Sequence, residues 1–196
     1  MTDENELQID YKAVSDKDTL CNLTNHSYFN LKGHDGGTIL DHEVCVKANG
    51  FTETNDELIP TGKIVDVTGT PMDFRTKKAI GKEINADYEP LRQGNGYDHN
   101  FVLDKADGAF GKAAEITEET TGRKMEVFTD LPGMQMYAGN FIGHEPGKNG
   151  VVYENRTGVC FETQLFPNSI HIPEFKSSLL KAGEEFASQT VYKFSW

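Results

Sequence analysis

Positive charge is scarce in this 196-residue chain: 19 Lys+Arg stand against 31 Asp+Glu, a formal net charge of −12. A surface of that sign repels phosphate backbones and anionic lipid, so neither nucleic acid nor a membrane surface is an expected partner. Long apolar runs are missing too. Stretches such as Phe101-Val102-Leu103 fall far short of the roughly 20 residues that a spanning helix needs. Met1 to Asp10 is acidic and has no basic stretch leading into an apolar one, so no secretory signal is expected. Cysteine is sparse: Cys21, Cys45 and Cys160 are odd in number and lack a CxxC spacing. That argues against a disulfide framework and against a structural zinc site, and the expected setting is a reducing cytoplasm. What is present, 37% hydrophobic and 10% aromatic residues, suffices for a folded core, and the length suits one domain over residues 1–196.

Helical periodicity is nearly absent as well. Apolar residues recur at every second position, as in Val44, Val46 and Ala48 against Glu43, Cys45 and Lys47, or Met125 and Val127 against Lys124 and Glu126. Period two is the mark of a half-buried strand. The same reading covers Gly133 to Ile142, Gly158 to Leu165 and Thr190 to Ser195, while one short helix is expected near Lys77 to Asn85. Nineteen glycines and seven prolines punctuate these runs, the spacing of an antiparallel β-sandwich or barrel.

Three strand-like segments carry polar groups where a strand usually wants none. In Asn22-Leu23-Thr24-Asn25-His26-Ser27-Tyr28-Phe29-Asn30-Leu31, an extended chain sets Thr24, His26, Tyr28 and Asn30 on one hydrogen-bonding face. A histidine satisfied by its neighbours at a sheet edge explains the local pattern as well. In Gly94-Asn95-Gly96-Tyr97-Asp98-His99-Asn100-Phe101-Val102-Leu103, Asp98 and His99 stand at a strand mouth and point to opposite sides, so at most one faces a pocket. The plainer role for Asp98 is a turn cap. In Gly158 to Pro167, Val159, Phe161, Thr163 and Leu165 share one face, and Cys160, Glu162 and Gln164 the other. A carboxylate central in so apolar a strand either meets water or is held in a site where burial raises its pKa toward that of a general base. Gln135 and Tyr137 share a face after Pro132, which alone means little.

Together these segments resemble the aldose 1-epimerase, or galactose mutarotase, family. The matching blocks are collinear: NLTNHSYFNL (22–31), ILDHEV (39–44), DELIPTGKI (56–64), VTGTPMDF (67–74), GYDHNFVL (96–103), TGRKMEVFTDLPGMQMYAGNF (121–141) and FETQLFPNSI (161–170). The resemblance implies an all-β, antiparallel β-supersandwich that interconverts the α and β anomers of free hexoses such as galactose and glucose, with no cofactor and no metal. By motif, His26 resembles the general acid on the ring oxygen and Glu162 the general base on the C1 hydroxyl. Asp98 and Gln135 resemble ligands of substrate hydroxyls.

Members of that family are longer, and the resemblance covers their C-terminal portion from about Leu7-Gln8-Ile9-Asp10-Tyr11-Lys12-Ala13. Their upstream part carries an arginine and a second histidine lining the same pocket. Gly33-His34-Asp35-Gly36-Gly37 does not replace it, since it follows NHSYFNL directly. The resemblance therefore implies a retained acid and base, an incomplete sandwich, and edges that call for cover by self-association or by a complementary N-terminal fragment. A catalytically deficient sugar-binding or partner-dependent β-domain is the alternative. A glycosidase using Asp98 and Glu162 as its carboxylate pair fits the resemblance less well.

Overall fold

Alternating burial along Glu43, Val44, Cys45 and Val46 is repeated along Lys124–Thr129 and most of Glu6–Val14 in the computed structural model, which describes residues 1–196. The first strands are β1 (Glu6–Val14), β2 (Thr19–Leu20), β3 (Glu43–Val46), β4 (Ala48–Thr54), β5 (Pro60–Asp66) and β6 (Lys78–Ala79). After a five-residue helix α1 (Glu89–Gln93) come β7 (Asp98–Leu103), β8 (Gly111–Thr117), β9 (Lys124–Thr129) and β10 (Gly133–Tyr137). The chain ends with β11 (His144–Pro146), β12 (Val152–Glu154), β13 (Cys160–Gln164), β14 (Leu179–Leu180) and β15 (Glu185–Ser195).

Two antiparallel sheets carry the fold: six strands in the order β1-β15-β9-β8-β3-β6, and five in the order β13-β10-β7-β4-β5. The chain passes from one to the other between β3 and β4, with only Lys47 between them. Each sheet turns one face inward. Val44, Val46, Ile116, Met125, Val127 and Tyr192 from the first sheet meet Phe51, Phe101, Met134, Met136 and Phe161 from the second in one apolar cluster. Removing these side chains from water, at about 25 cal/mol per Å² of apolar surface, is the main drive for the two sheets to stack. The other face of the five-stranded sheet is then free for polar work.

The expected helix near Lys77 to Asn85 is not there. Lys78–Ala79 pair with β3 and only Ile80–Lys82 make a single 3₁₀ turn. Their backbone is claimed by another segment instead: the Ile80 and Gly81 amides donate to the His42 and Leu40 carbonyls, and a helix over 77–85 would need the Gly81 amide for the Lys77 carbonyl. The true α-helix begins one step later, at Glu89–Gln93, with Pro90 in its first turn, where its missing N–H costs nothing. Over 138–142 the expected strand gives way to a loop after Tyr137. No helix is long and apolar enough to cross a membrane.

Candidate active site

Period two on the five-stranded sheet builds a polar floor. On β13, Phe161 points to the core while Cys160, Glu162 and Gln164 point the other way; on β10, Met134 and Met136 are core, and Gln135 and Tyr137 are not. β7 divides likewise, with His99 and Phe101 inward and Asp98 and Asn100 outward, and β4 sets Thr52 and Thr54 beside them. Direct register across the strands aligns Glu162 with Gln135 and Gln135 with Asn100. These side chains, with His26, Tyr28 and a rim of Leu58, Pro60 and Pro167, enclose a cavity of about 500 Å³, within the range of small-molecule sites.

His26 arrives from outside the sheet. β13 is an edge strand, and the segment 22–30 runs along its free side. Asn22 locks one end, accepting from the Leu165 amide at 2.9 Å and donating to the Leu165 carbonyl at 3.0 Å. Phe29 locks the other by a backbone bridge to Val159, with its ring 4.9 Å from that of Tyr192. Asn25 and Asn30 hold the turns, accepting from the Ser27 and Lys32 amides. Asparagine side chains mimic backbone turns, which accounts for Asn25 and Asn30. Contrary to its strand-like pattern the segment forms no strand, its one backbone bridge being at Phe29. His26 and Tyr28 reach the cavity, Leu31 is buried, and Leu23 stays 40% exposed.

Between these locks, His26 Nε2 comes to 3.2 Å from Glu162 Oε1, hydrogen-bond range for an imidazole and a carboxylate. Its Nδ1 faces Cys160 Sγ at 3.5 Å. Across the cavity, Gln135 Nε2 donates to Asp98 Oδ1 at 2.8 Å. Burial is the largest influence on Glu162 and pushes it from 4.5 up to about 7; nearby His26 opposes the rise and the negative charge of Asp98 adds to it. Burial likewise raises Asp98, against the Gln135 hydrogen bond, and pushes the Cys160 thiol up, keeping it protonated. Glu162 thus titrates near neutrality, where a general base works best. His99 has the opposite fate: 1% exposed in the core, it is depressed to about 4 by burial and stays neutral, with Nδ1 accepting from the Asp98 amide at 3.1 Å.

The sequence profile of the family described as Aldose 1-epimerase matches residues 1–193. This chain belongs to the aldose 1-epimerase family. It is 43% identical over 194 residues to a galactose mutarotase of Mus musculus, covering 98% of this chain and 55% of that one. An aldose 1-epimerase of Escherichia coli K12 is 34% identical over 196 residues, covering 99% and 56%. Among solved structures, an aldose epimerase homologue from C. elegans superposes with a TM-score of 0.85 at 31% identity, over 98% of this chain and 57% of that one. A galactose 1-epimerase from Lactobacillus acidophilus gives 0.83 at 30%, over 98% and 54%. The chain spans a little over half the length of the curated relatives it matches.

For a member of the aldose 1-epimerase family, the fold places His26, Glu162, Asp98 and Gln135 around one cavity, although they lie on four separate segments. The cavity wall holds one imidazole and no arginine. Thr52, Thr54, Asn100 and Gln164 also line it, and sequence reading did not single them out. The signal was available for two: Asn100 lies two residues past Asp98 and Gln164 two past Glu162, hence on the same strand faces. Nothing local marks Thr52 or Thr54. His26, Cys160 and Glu162 bring nitrogen, sulfur and oxygen within 4.8 Å of one another, types that zinc accepts.

Proposed function

We propose that this cavity is an acid–base site that interconverts the α and β anomers of free hexoses, galactose and glucose among them. The observation that carries the reading is the 3.2 Å approach of His26 to a buried carboxyl raised to about 7, beside a second polar pair, Asp98 and Gln135, suited to sugar hydroxyls. Glu162, ionised, takes the proton from the C1 hydroxyl. His26, protonated, gives its proton to the ring oxygen as the C1–O5 bond breaks, and C1 becomes an aldehyde. Rotation about C1–C2 presents the other face. The transfers then run in reverse: Glu162 returns its proton to the carbonyl oxygen, His26 removes one from the C5 hydroxyl, and the ring closes as the other anomer. Both groups recover their starting states, so the cycle needs no cofactor. Asp98 and Gln135 hold ring hydroxyls, fixing C1 and O5 against the pair, and such positioning is a large share of catalysis when both reactants are held. Polarimetry of freshly dissolved α-D-galactose tests the reading: the protein should speed the approach to equilibrium, and a rate equal to that of buffer would overturn it.

Residues 1–196 act as one unit in this reading, since the site draws on segments from 26 to 164. Three unpaired thiols support a reducing cytoplasm as the place of action. As to partners, β1 has a hydrogen-bonded neighbour on one side only, and Val14, Leu20, Leu23 and Leu179 expose apolar surface. An open edge with apolar neighbours favours association, with a second copy or a complementary fragment. Sedimentation that finds a monomer at every concentration, with no uptake of such a fragment, would count against it.

A further inference from the structure

The far wall of the cavity holds polar atoms with nothing to bond. Thr52 is fully buried and Asn100 is 2% exposed; both line the cavity, and neither Thr52 Oγ1 nor Asn100 Nδ2 has a hydrogen-bond partner. Gln135 Oε1 and Thr54 Oγ1 are in the same state. Buried polar groups are nearly always paired, and an orphan is costly unless something else supplies its partner. The wall is also shaped around Asn100. A Cβ on Gly133 would stand 2.5 Å from Asn100 Oδ1, so only glycine lets the amide lie there, with its oxygen toward Gln164 Nε2.

These orphans sit at a defined distance from the acid–base pair. Glu162 aligns with Gln135 and Gln135 with Asn100; Phe51 is opposite Phe101 on the next strand, which makes Thr52 the next residue toward Asn100. At about 4.8 Å per strand, Glu162 and Asn100 stand about 10 Å apart. A pyranose measures roughly 5–6 Å from O1 to O4 by ordinary bond lengths, and a hydrogen bond adds about 2.8 Å at each end. A ring with C1 at Glu162 therefore carries its most distant hydroxyl over Asn100; Thr52, one strand farther, stands about 14 Å from Glu162 on the same spacing and lies outside that reach.

We propose that Asn100 is a specificity-determining residue whose unpaired Nδ2 donates to the hexose hydroxyl farthest from C1, at the C4 end. The proposal rests on the reading of the cavity as a hexose site, and the test separates the two. Binding of galactose and of 4-deoxygalactose is measured by calorimetry on the unmodified protein and on Asn100→Ala and Asn100→Leu, which both remove the Nδ2 donor. Galactose should bind the unmodified protein about 5- to 10-fold more tightly than the deoxy sugar, the worth of one neutral hydrogen bond. Each variant should lose a similar factor for galactose and nothing for 4-deoxygalactose. Equal loss for both sugars would mean a merely structural effect and would overturn the assignment, as would no loss for either. If neither variant folds, the comparison of the two sugars on the unmodified protein still decides, equal affinity being the refuting result. If the unmodified protein binds no hexose at all, the reading of the cavity falls and this assignment with it.

Discussion

Replacing Glu162 by glutamine should remove proton transfer and, at neutral and alkaline pH, stabilise the fold. The carboxyl is buried to 8% exposure, and burial raises it from 4.5 to about 7. Below pH 4.5 it is protonated in folded and unfolded chains alike, so its pKa difference costs nothing. Between 4.5 and about 7 the unfolded chain ionises while the folded one keeps its proton, and stability falls as pH rises. Above that both are ionised and the full deficit stays. At about 1.4 kcal/mol per pH unit the deficit is about 3 kcal/mol, a large part of the 5–15 kcal/mol that holds a typical domain together. Glutamine keeps the shape and cannot ionise, so this slope vanishes. Urea unfolding at intervals from pH 4 to 8 measures it: the stability of Glu162→Gln relative to the unmodified protein should climb by about 3 kcal/mol across that range. A difference that stays level would show that Glu162 ionises as freely in the fold as in water, and would remove the physical ground for calling it a general base.

Other consequences follow from the same geometry. Glu162→Gln and His26→Asn should each lower kcat by about 10²-fold or more, with circular dichroism unchanged; near-normal turnover in either rules out its role. kcat/KM should rise with pH through about 7 as Glu162 ionises, and Asp98→Asn should move that limb to lower pH, since the Asp98 charge helps to hold Glu162 up. The same variant should raise KM, because a hydroxyl ligand is lost; an unmoved limb together with an unchanged KM would detach Asp98 from the site. Gly133→Ala puts a methyl 2.5 Å from Asn100 Oδ1 and 2.8 Å from the Phe166 ring. Overpacking of that kind costs about 1–3 kcal/mol, so its thermal midpoint should drop, and an unchanged midpoint would show that the wall yields freely. A chelator should leave the rate as it was, since Glu162 and His26 move both protons themselves; loss of activity that zinc restores would refute this.

Much of the fold was legible because period two is a physical signature. Strand faces such as Val44/Val46 and Met125/Val127 alternate in burial just as their sequence alternates in polarity, because each side of a strand meets one environment. The opposite orientation of Asp98 and His99 was legible on the same ground. What local pattern could not supply was long-range. Whether Glu162 met water or a cavity depended on a segment some 130 residues earlier lying along its strand. The helix expected near 77–85 failed for the same reason, since Leu40 and His42 take up its amides. Thr52 looks like any strand threonine, and only the sheet order that sets β4 beside β7 brings it to the site. The collinear motif blocks supplied what periodicity could not.

The position of His26 and Glu162 at a sheet edge has its own logic. β13 ends the five-stranded sheet, and an open edge is a hazard that proteins cover or blunt. Here a segment of irregular backbone covers it, held at Leu165 by the Asn22 side chain and at Val159 by a bridge. Another paired strand would point its side chains perpendicular to the sheet, beside Glu162 rather than toward it. The unpaired stretch between the two locks is free to turn His26 over the edge and into contact with the carboxyl. The same covering segment lies over Glu162, whose burial raises its pKa, and brings the His26 imidazole to 3.2 Å from it. Closure of the edge and placement of His26 thus depend on the same contacts. A substitution such as Asn22→Ala, far from any reacting atom, would loosen both together.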